Sequence, residues 1–189
     1  MKDDRDWIVQ KIKTADGVIL ASPNYAANVP WLMKNYIDRF AYTLHRPKYF
    51  NQKFMLLITS GSFMGVKSAM KALSIMVSGG NVINRLSVLN SPQMNDKKQK
   101  IQEEKIKKNT EKFAKLMNKK KSSKPTFSYL IWFSAFKAAS EINKNSLPAD
   151  YQYYKNKDYF INCKLNIFQR IVIKISTNFF RFMVRKGLV

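Results

Sequence analysis

The sequence predicts an α/β domain with a parallel sheet over residues 1–124 and a helical, aromatic and basic extension over 125–189. Three observations lead there. Short apolar runs at consecutive positions alternate with stretches of helical period, composition changes near Pro92 and again near Lys124, and the last segment is apolar with helical rather than strand spacing. With 189 residues, 46% of them hydrophobic, the chain is long enough to bury a core, which excludes disorder throughout.

The elements follow in order. A capped polar helix from about Asp3 to Thr14 leads into Gly17-Val-Ile-Leu-Ala-Ser22, a run that reads as a strand buried on both faces. Phe54-Met-Leu-Leu-Ile-Thr59 repeats that pattern, and Asn81–Leu89 supplies a third strand with β-branched content. Helical periods at Trp31–Leu44 and Val66–Val77 separate them, so the order is that of right-handed crossovers in a doubly wound sheet. Asp96–Lys124 carries twelve Lys and four acids, with an apolar seam at Ile101, Ile106, Phe113, Leu116 and Met117. It reads as one long helix covering the sheet, with Lys119–Lys124 as its solvated end and a linker. Beyond Pro125 lie an aromatic helix, Phe127–Ile142, and an amphipathic one, Leu165–Val184. At about 100° per residue, Arg170, Lys174, Asn178, Arg181 and Arg185 of the latter share one narrow arc and apolar residues fill the rest. So wide an apolar face docks on the body, on another subunit or on a membrane surface.

Lys and Arg number 34 against 12 acids, a net charge of +22, and 27 of the 34 are Lys. Readers of nucleic acid rely on Arg for bidentate contacts, so a Lys excess fits a solvated surface or diffuse attraction to polyanions or anionic lipid rather than specific nucleic-acid recognition. One cysteine, Cys163, and one histidine, His45, exclude a disulfide framework and a Cys/His zinc site. Cys163 reads as a packed residue and His45 as a solvated loop histidine. The first six residues hold three aspartates and no apolar core of a signal peptide, and no run of about 18 apolar residues exists to span a bilayer. The expected location is the cytoplasm.

Ligands of an open parallel sheet bind outside the carboxyl ends of its strands, where strand-to-helix loops aim backbone N–H groups at one crevice. The first strand ends in Ser22-Pro23-Asn24-Tyr25, a turn offering hydrogen-bonding side chains and a flat aromatic face. The second ends in Thr59-Ser60-Gly61-Ser62, where small residues let a ligand approach the backbone. Either loop alone is an ordinary turn; their place at one rim is what points to a site.

Ala15-Asp16-Gly17-Val18-Ile19-Leu20-Ala21-Ser22-Pro23-Asn24-Tyr25, with Val29-Pro30, Met33-Lys34 and Ile37-Asp38-Arg39-Phe40 after it, resembles the NADPH-dependent FMN reductase family of flavodoxin-like proteins. The likeness covers about residues 1–95, and Pro148-Ala-Asp-Tyr-Gln-Tyr-Tyr154 is similar to the C-terminal segment of some long members. It implies a flavodoxin-like parallel sheet and an NAD(P)H oxidoreductase that passes hydride or electrons through FMN to a quinone, flavin or similar acceptor, usually as a homodimer. It further implies that Ser22, Pro23, Asn24 and Tyr25 lie against the isoalloxazine, with Thr59, Ser60, Gly61 and Ser62 at its polar edge. Such chemistry belongs to the cofactor and needs no side-chain acid or base. Family members begin with a strand, a Ser/Gly-rich loop that grips the flavin phosphate, and a second strand. This sequence starts after both, so the resemblance implies an N-terminally truncated sheet whose strand Gly17–Ser22 has an open edge.

The expectations are therefore an FMN-dependent oxidoreductase with FMN, NAD(P)H and a small-molecule acceptor. A non-catalytic remnant or interaction module that pairs its open edge with another chain is the second reading. The third is a basic protein that binds a membrane surface or a polyanion through Lys97–Lys124 and the helix of Arg170 to Arg185, with membrane contact through residues 165–186. Tyr151, Tyr153, Tyr154, Tyr159 and Phe160 either pack internally or cap a ring from a partner subunit.

Overall fold

The computed structural model describes residues 3–92, 94–117 and 125–188, which fall into two compact units, Met1–Ser122 and Ser123–Val189. The first unit runs α1 (Arg5–Thr14), β1 (Gly17–Pro23), α2 (Trp31–Phe40), α3 (Tyr42–His45), β2 (Lys53–Ser60), α4 (Val66–Met76), β3 (Asn81–Leu89) and α5 (Asp96–Met117). Its strands form one parallel sheet in the order β1-β2-β3. This is the flavodoxin-like architecture expected, with helices beside a parallel sheet.

Central β2 is buried on both faces, which is why its apolar run is unbroken. Phe54, Leu56 and Ile58 join Val9 and Ile12 of α1, Ile37 and Phe40 of α2, and Leu73 and Met76 of α4 in the main core. Met55 belongs to a smaller core with Leu86 of β3 and Phe113 of α5, against which Leu57, Val88 and Met117 pack. Long α5 therefore closes the second face of the sheet. It is fastened there by Asn84, whose Nδ2 donates to the Asn109 carbonyl (2.7 Å), and by Lys105, whose Nζ donates to the Ser87 carbonyl (2.6 Å). Its far end reaches Gly17, where an added Cβ would lie 2.5 Å from Met117 Sδ and 2.9 Å from Phe113 Cζ. A side chain at this position would make the ends of Met117 and Phe113 give way.

Several expectations need correction. The run Gly17–Ser22 is not buried on both faces: Ser22 is the one buried residue of β1, Ala21 is exposed, and Ile19 is 54% exposed. α5 covers β2 and β3 and touches β1 at Gly17, and among the described residues no strand pairs with the outer edge of β1. The apolar seam of α5 is docked in its second half alone, with Phe113 buried but Ile101 and Ile106 exposed. The linker expected at Lys119–Lys124 lies outside the described residues. The helix expected over Trp31–Leu44 tightens at Ala41, whose N–H reaches the Asp38 carbonyl three residues back (3.3 Å), and this divides α2 from α3. His45 ends α3, exposed, rather than sitting in a loop. α1 is capped from one residue further out than its N-cap: Asp3 Oδ1 accepts from Arg5 N–H (3.1 Å), while Asp4 makes no capping bond.

The second unit comprises α6 (Phe127–Ile142), α7 (Pro148–Tyr154) and α8 (Ile167–Arg185). α7 was not expected; Pro148 opens it in the first turn, where proline is tolerated. α6 and α8 pack side by side, with Ser134 Oγ donating to the Ile173 carbonyl (3.3 Å) and Arg181 paired to Glu141 (2.6 Å). Both links advance together along the two helices, so they run parallel. Phe133 is fully buried among Tyr154, Tyr159 and Phe160, whose rings lie 5.2–5.8 Å from it. These three aromatics thus serve as internal packing.

Two tyrosines of the first unit tie its stability to pH. Burial, with Tyr42 nearby, pushes the Tyr36 hydroxyl up to about 12, and burial also raises fully buried Tyr49. Unfolded tyrosine ionises near 10. Their contribution is therefore intact below that value and lost as pH climbs through about 12. Urea melts taken from neutral pH upward should hold their midpoint until about pH 10 and then fall, in step with the phenolate absorbance of unfolding, and Tyr36→Phe should blunt the fall.

Candidate functional site

β1 and β2 end side by side, with Pro23 opposite Thr59. The loops that follow are joined by Asn24. Its N–H donates to the Thr59 carbonyl (2.8 Å), which extends the ladder beyond the strands. Its Nδ2 donates to Ser60 Oγ (2.9 Å) and to the Met64 carbonyl (2.7 Å). Ser60 in turn donates to the Ser62 carbonyl (2.6 Å) and accepts from Ser62 N–H (3.3 Å), so its buried hydroxyl organises the second loop. Asn24 Oδ1 is buried without a hydrogen-bond partner.

The first loop turns back on itself between Tyr25 and Asn28, which exchange both backbone hydrogen bonds (2.8 and 3.0 Å). Ala26 and Ala27 at its tip have φ of 48° and 62°. Two successive left-handed residues define a turn that favours Asn-Gly, and alanine there costs about 1–2 kcal/mol per residue. The second loop holds this tip. Gly65, itself at φ 75°, lies so close that an added Cβ would stand 2.1 Å from Ala27 Cα.

Around this rim large apolar side chains face solvent. Tyr25, Trp31, Leu32, Phe63 and Met64 are all exposed, Phe63 the most at 84%. Beside them opens a cleft of about 420 Å³ between the loop after β2, the loop after β3 and the start of α5. Gly61, Ser62 and Phe63 form one wall, Leu89, Ser91 and Met94 another, and Lys98, Ile101 and Gln102 the third. A Cβ at Gly61 would meet nothing nearer than the Asn90 carbonyl at 3.9 Å, so the backbone there is open to a ligand. Gln102 Oε1 is buried without a hydrogen-bond partner.

The eight residues expected in a site come to one rim, in different roles. Ser22 is buried and its hydroxyl donates to the Pro23 carbonyl (2.9 Å), so it shapes the strand end. Asn24 and Ser60 clamp the loops, the Thr59 carbonyl is taken by Asn24, and Tyr25 stands exposed. Of the eight, Gly61 and Ser62 line the cleft. Phe63 and the α5 residues were not anticipated, since α5 read as a cover for the sheet. The signal was present in Ile101, an apolar residue too far from Phe113 to share its docking. Among the described residues no group of three or more His, Cys, Asp or Glu could hold a metal ion.

Residues 1–96 match the family model described as NADPH-dependent FMN reductase. Among solved structures a flavone reductase is similar, with a TM-score of 0.50 at 14% identity, over 67% of this chain and 50% of that one. The chain thus spans about half the length of that relative, and the likeness is one of fold. No curated protein matches.

The strained tip makes a direct test. Ala26→Asn combined with Ala27→Gly, the pair suited to these backbone angles, should raise unfolding stability by about 1 kcal/mol. Gly65→Ala should lower it by about 2 kcal/mol or more, because the methyl must displace the first loop's backbone. Denaturant melts of the three chains check both.

Proposed function

The chain belongs to the NADPH-dependent FMN reductase family, and from that premise we propose that its rim loops hold the ring of FMN while hydride passes from NADH or NADPH to a quinone, a flavin or a similar small acceptor. The observation that carries this reading is the cleft at Gly61. There an open stretch of backbone and the Phe63 ring border one space, which Lys98 and Gln102 of α5 also line. A flavin ring has matching parts: a flat apolar body and a polar edge on which an N–H donor stands between two carbonyl acceptors.

The chemistry that FMN supplies when bound is two-electron storage, a hydride taken from the reduced nicotinamide and two electrons given up to the acceptor. The residues of this chain bind and orient. Gly61 lets the ring approach the main chain, and Gln102, with two donors beside its acceptor, suits the polar edge. Phe63 would offer a flat face that shields the ring from water, Tyr25 stands exposed on the neighbouring loop, and Lys98 would add a positive charge at the cleft beside the ring. Ser22, Pro23, Asn24, Thr59 and Ser60 act behind them by fixing the two loops in one arrangement before any ligand arrives. The exposed Tyr25, Trp31 and Phe63 are also suited to burial by a second subunit.

Among the described residues no strand pairs with the outer edge of β1, and with Ile19 exposed there this favours a second reading, a module that pairs this strand with another chain and has no redox role.

Titration of the purified chain with FMN, followed by quenching of flavin fluorescence, separates the two. The oxidoreductase reading expects saturable binding and FMN-dependent oxidation of NADPH or NADH. Gly61→Val should reduce FMN affinity about tenfold or more while shifting stability by under about 0.5 kcal/mol, since the open space at Gly61 receives the side chain. Gln102→Leu should weaken FMN about tenfold, the value of one buried hydrogen bond. Absence of saturable FMN binding in the native chain overturns the redox reading and leaves the pairing module.

A further inference from the structure

We propose that α8 is a membrane-surface helix, and that the second unit rests on bilayers rich in anionic lipid. The helix has two apolar faces where a docked helix needs one. Thr177 is buried, and Ile173, Phe180 and Val184 on the same side are partly buried, along the face held to α6 through Ser134 and Arg181. A second face carries Phe168, Ile171, Ile175, Phe179 and Phe182, all exposed. Their spacing of three and four residues makes a straight stripe about 21 Å long. Large apolar stripes of this kind are not left in water without an occupant.

Charge says which occupant. Arg170, Lys174 and Arg185 lie along one side of the stripe, and Arg170 and Lys174 also line a cleft of about 290 Å³ with Lys137. Asp158 is the acid of that cleft, and Glu141, the acid nearest along α6, is already engaged by Arg181. Residues 125–189 as a whole hold ten Lys and Arg against three acids. A second copy seated stripe to stripe would bring two cationic borders together within a chain of net charge +22. Nucleic acid offers phosphates but nothing for five aliphatic and aromatic side chains. An anionic bilayer surface meets both features at once: acyl chains take the stripe and phosphate headgroups take the border.

The helix is ready for that contact without folding on arrival. Asn166 Oδ1 accepts from Gln169 N–H (2.8 Å) while Gln169 Oε1 accepts from Asn166 N–H (3.0 Å), so its first turn is closed at both ends. Among the described residues no helix is long and apolar enough to cross a membrane, which makes the contact one of lying on the surface.

The test is co-sedimentation of the full chain with vesicles of phosphatidylcholine alone and of phosphatidylcholine with phosphatidylglycerol, at low and raised salt. We expect binding to the anionic vesicles at least about tenfold tighter than to neutral ones, weakening as salt rises. Ile175→Ser/Phe179→Ser/Phe182→Ser should lose binding about tenfold or more, and Lys174→Glu/Arg185→Glu likewise, with circular dichroism unchanged in both since every replaced side chain is exposed. Should the triple variant fail to fold, the charge variant decides. Equal binding of the variants and the native chain overturns the proposal and assigns adsorption to diffuse charge. So does a native chain that ignores both vesicle types, or one that forms a dimer abolished by the triple variant, which makes the stripe a self-association face. None of these readings depends on whether FMN binds.

Discussion

In a parallel sheet, the loops that leave neighbouring strands have no covalent reason to stay together; a helix and a return strand separate them in the chain. Here one side chain overcomes that. Asn24 directs its backbone N–H and its side-chain amide at the loop after β2, reaching Thr59, Ser60 and Met64. Three such bonds at a net value of about 1 kcal/mol each are enough to hold a turn whose two alanines sit in an unfavourable region of backbone space. The rest of the rim, from the exposure of Tyr25 to the open face of Gly61, depends on this tie.

α5 links the rim to the base of the sheet. Its first turns line the cleft with Lys98, Ile101 and Gln102, and its last turn closes over Gly17, with Phe113 and Met117 filling the space that a side chain there would need. The helix that was expected merely to shield the sheet is therefore also a wall of the candidate site. Its exposed first half is left unpacked because the cleft lies beneath it.

Much of this was legible in the sequence. Consecutive apolar residues marked the parallel strands because β2 is covered on both sides, and the Ser-Pro and Gly-Ser turns marked the rim because loops there must be compact. What was hidden depended on neighbours that a linear pattern does not encode. The run Gly17–Ser22 looks like a central strand yet lies at an edge, since apolar content reports what a strand was suited to cover rather than what covers it. α7 escaped notice because seven residues are too few to show a helical period. Gln102 looked like any polar residue on a lysine-rich helix, and its isolation from hydrogen-bond partners exists in three dimensions alone. The amphipathic pattern of α8 was plain, but a helical wheel could not divide its wide apolar arc into a face held by α6 and a face held by nothing.

The bare flank of β1 bears on how the protein behaves in concentrated solution. Among the described residues no strand pairs with that flank, and beside an exposed isoleucine such an edge is suited to an extended segment, copies of the chain included. Mutual repulsion opposes such pairing of copies, and at +22 that repulsion is large. It acts through water over roughly 8 Å at physiological ionic strength and about 3 Å in molar salt. The same lysines that make the chain basic therefore act as its colloidal safeguard, and salting the solution withdraws it.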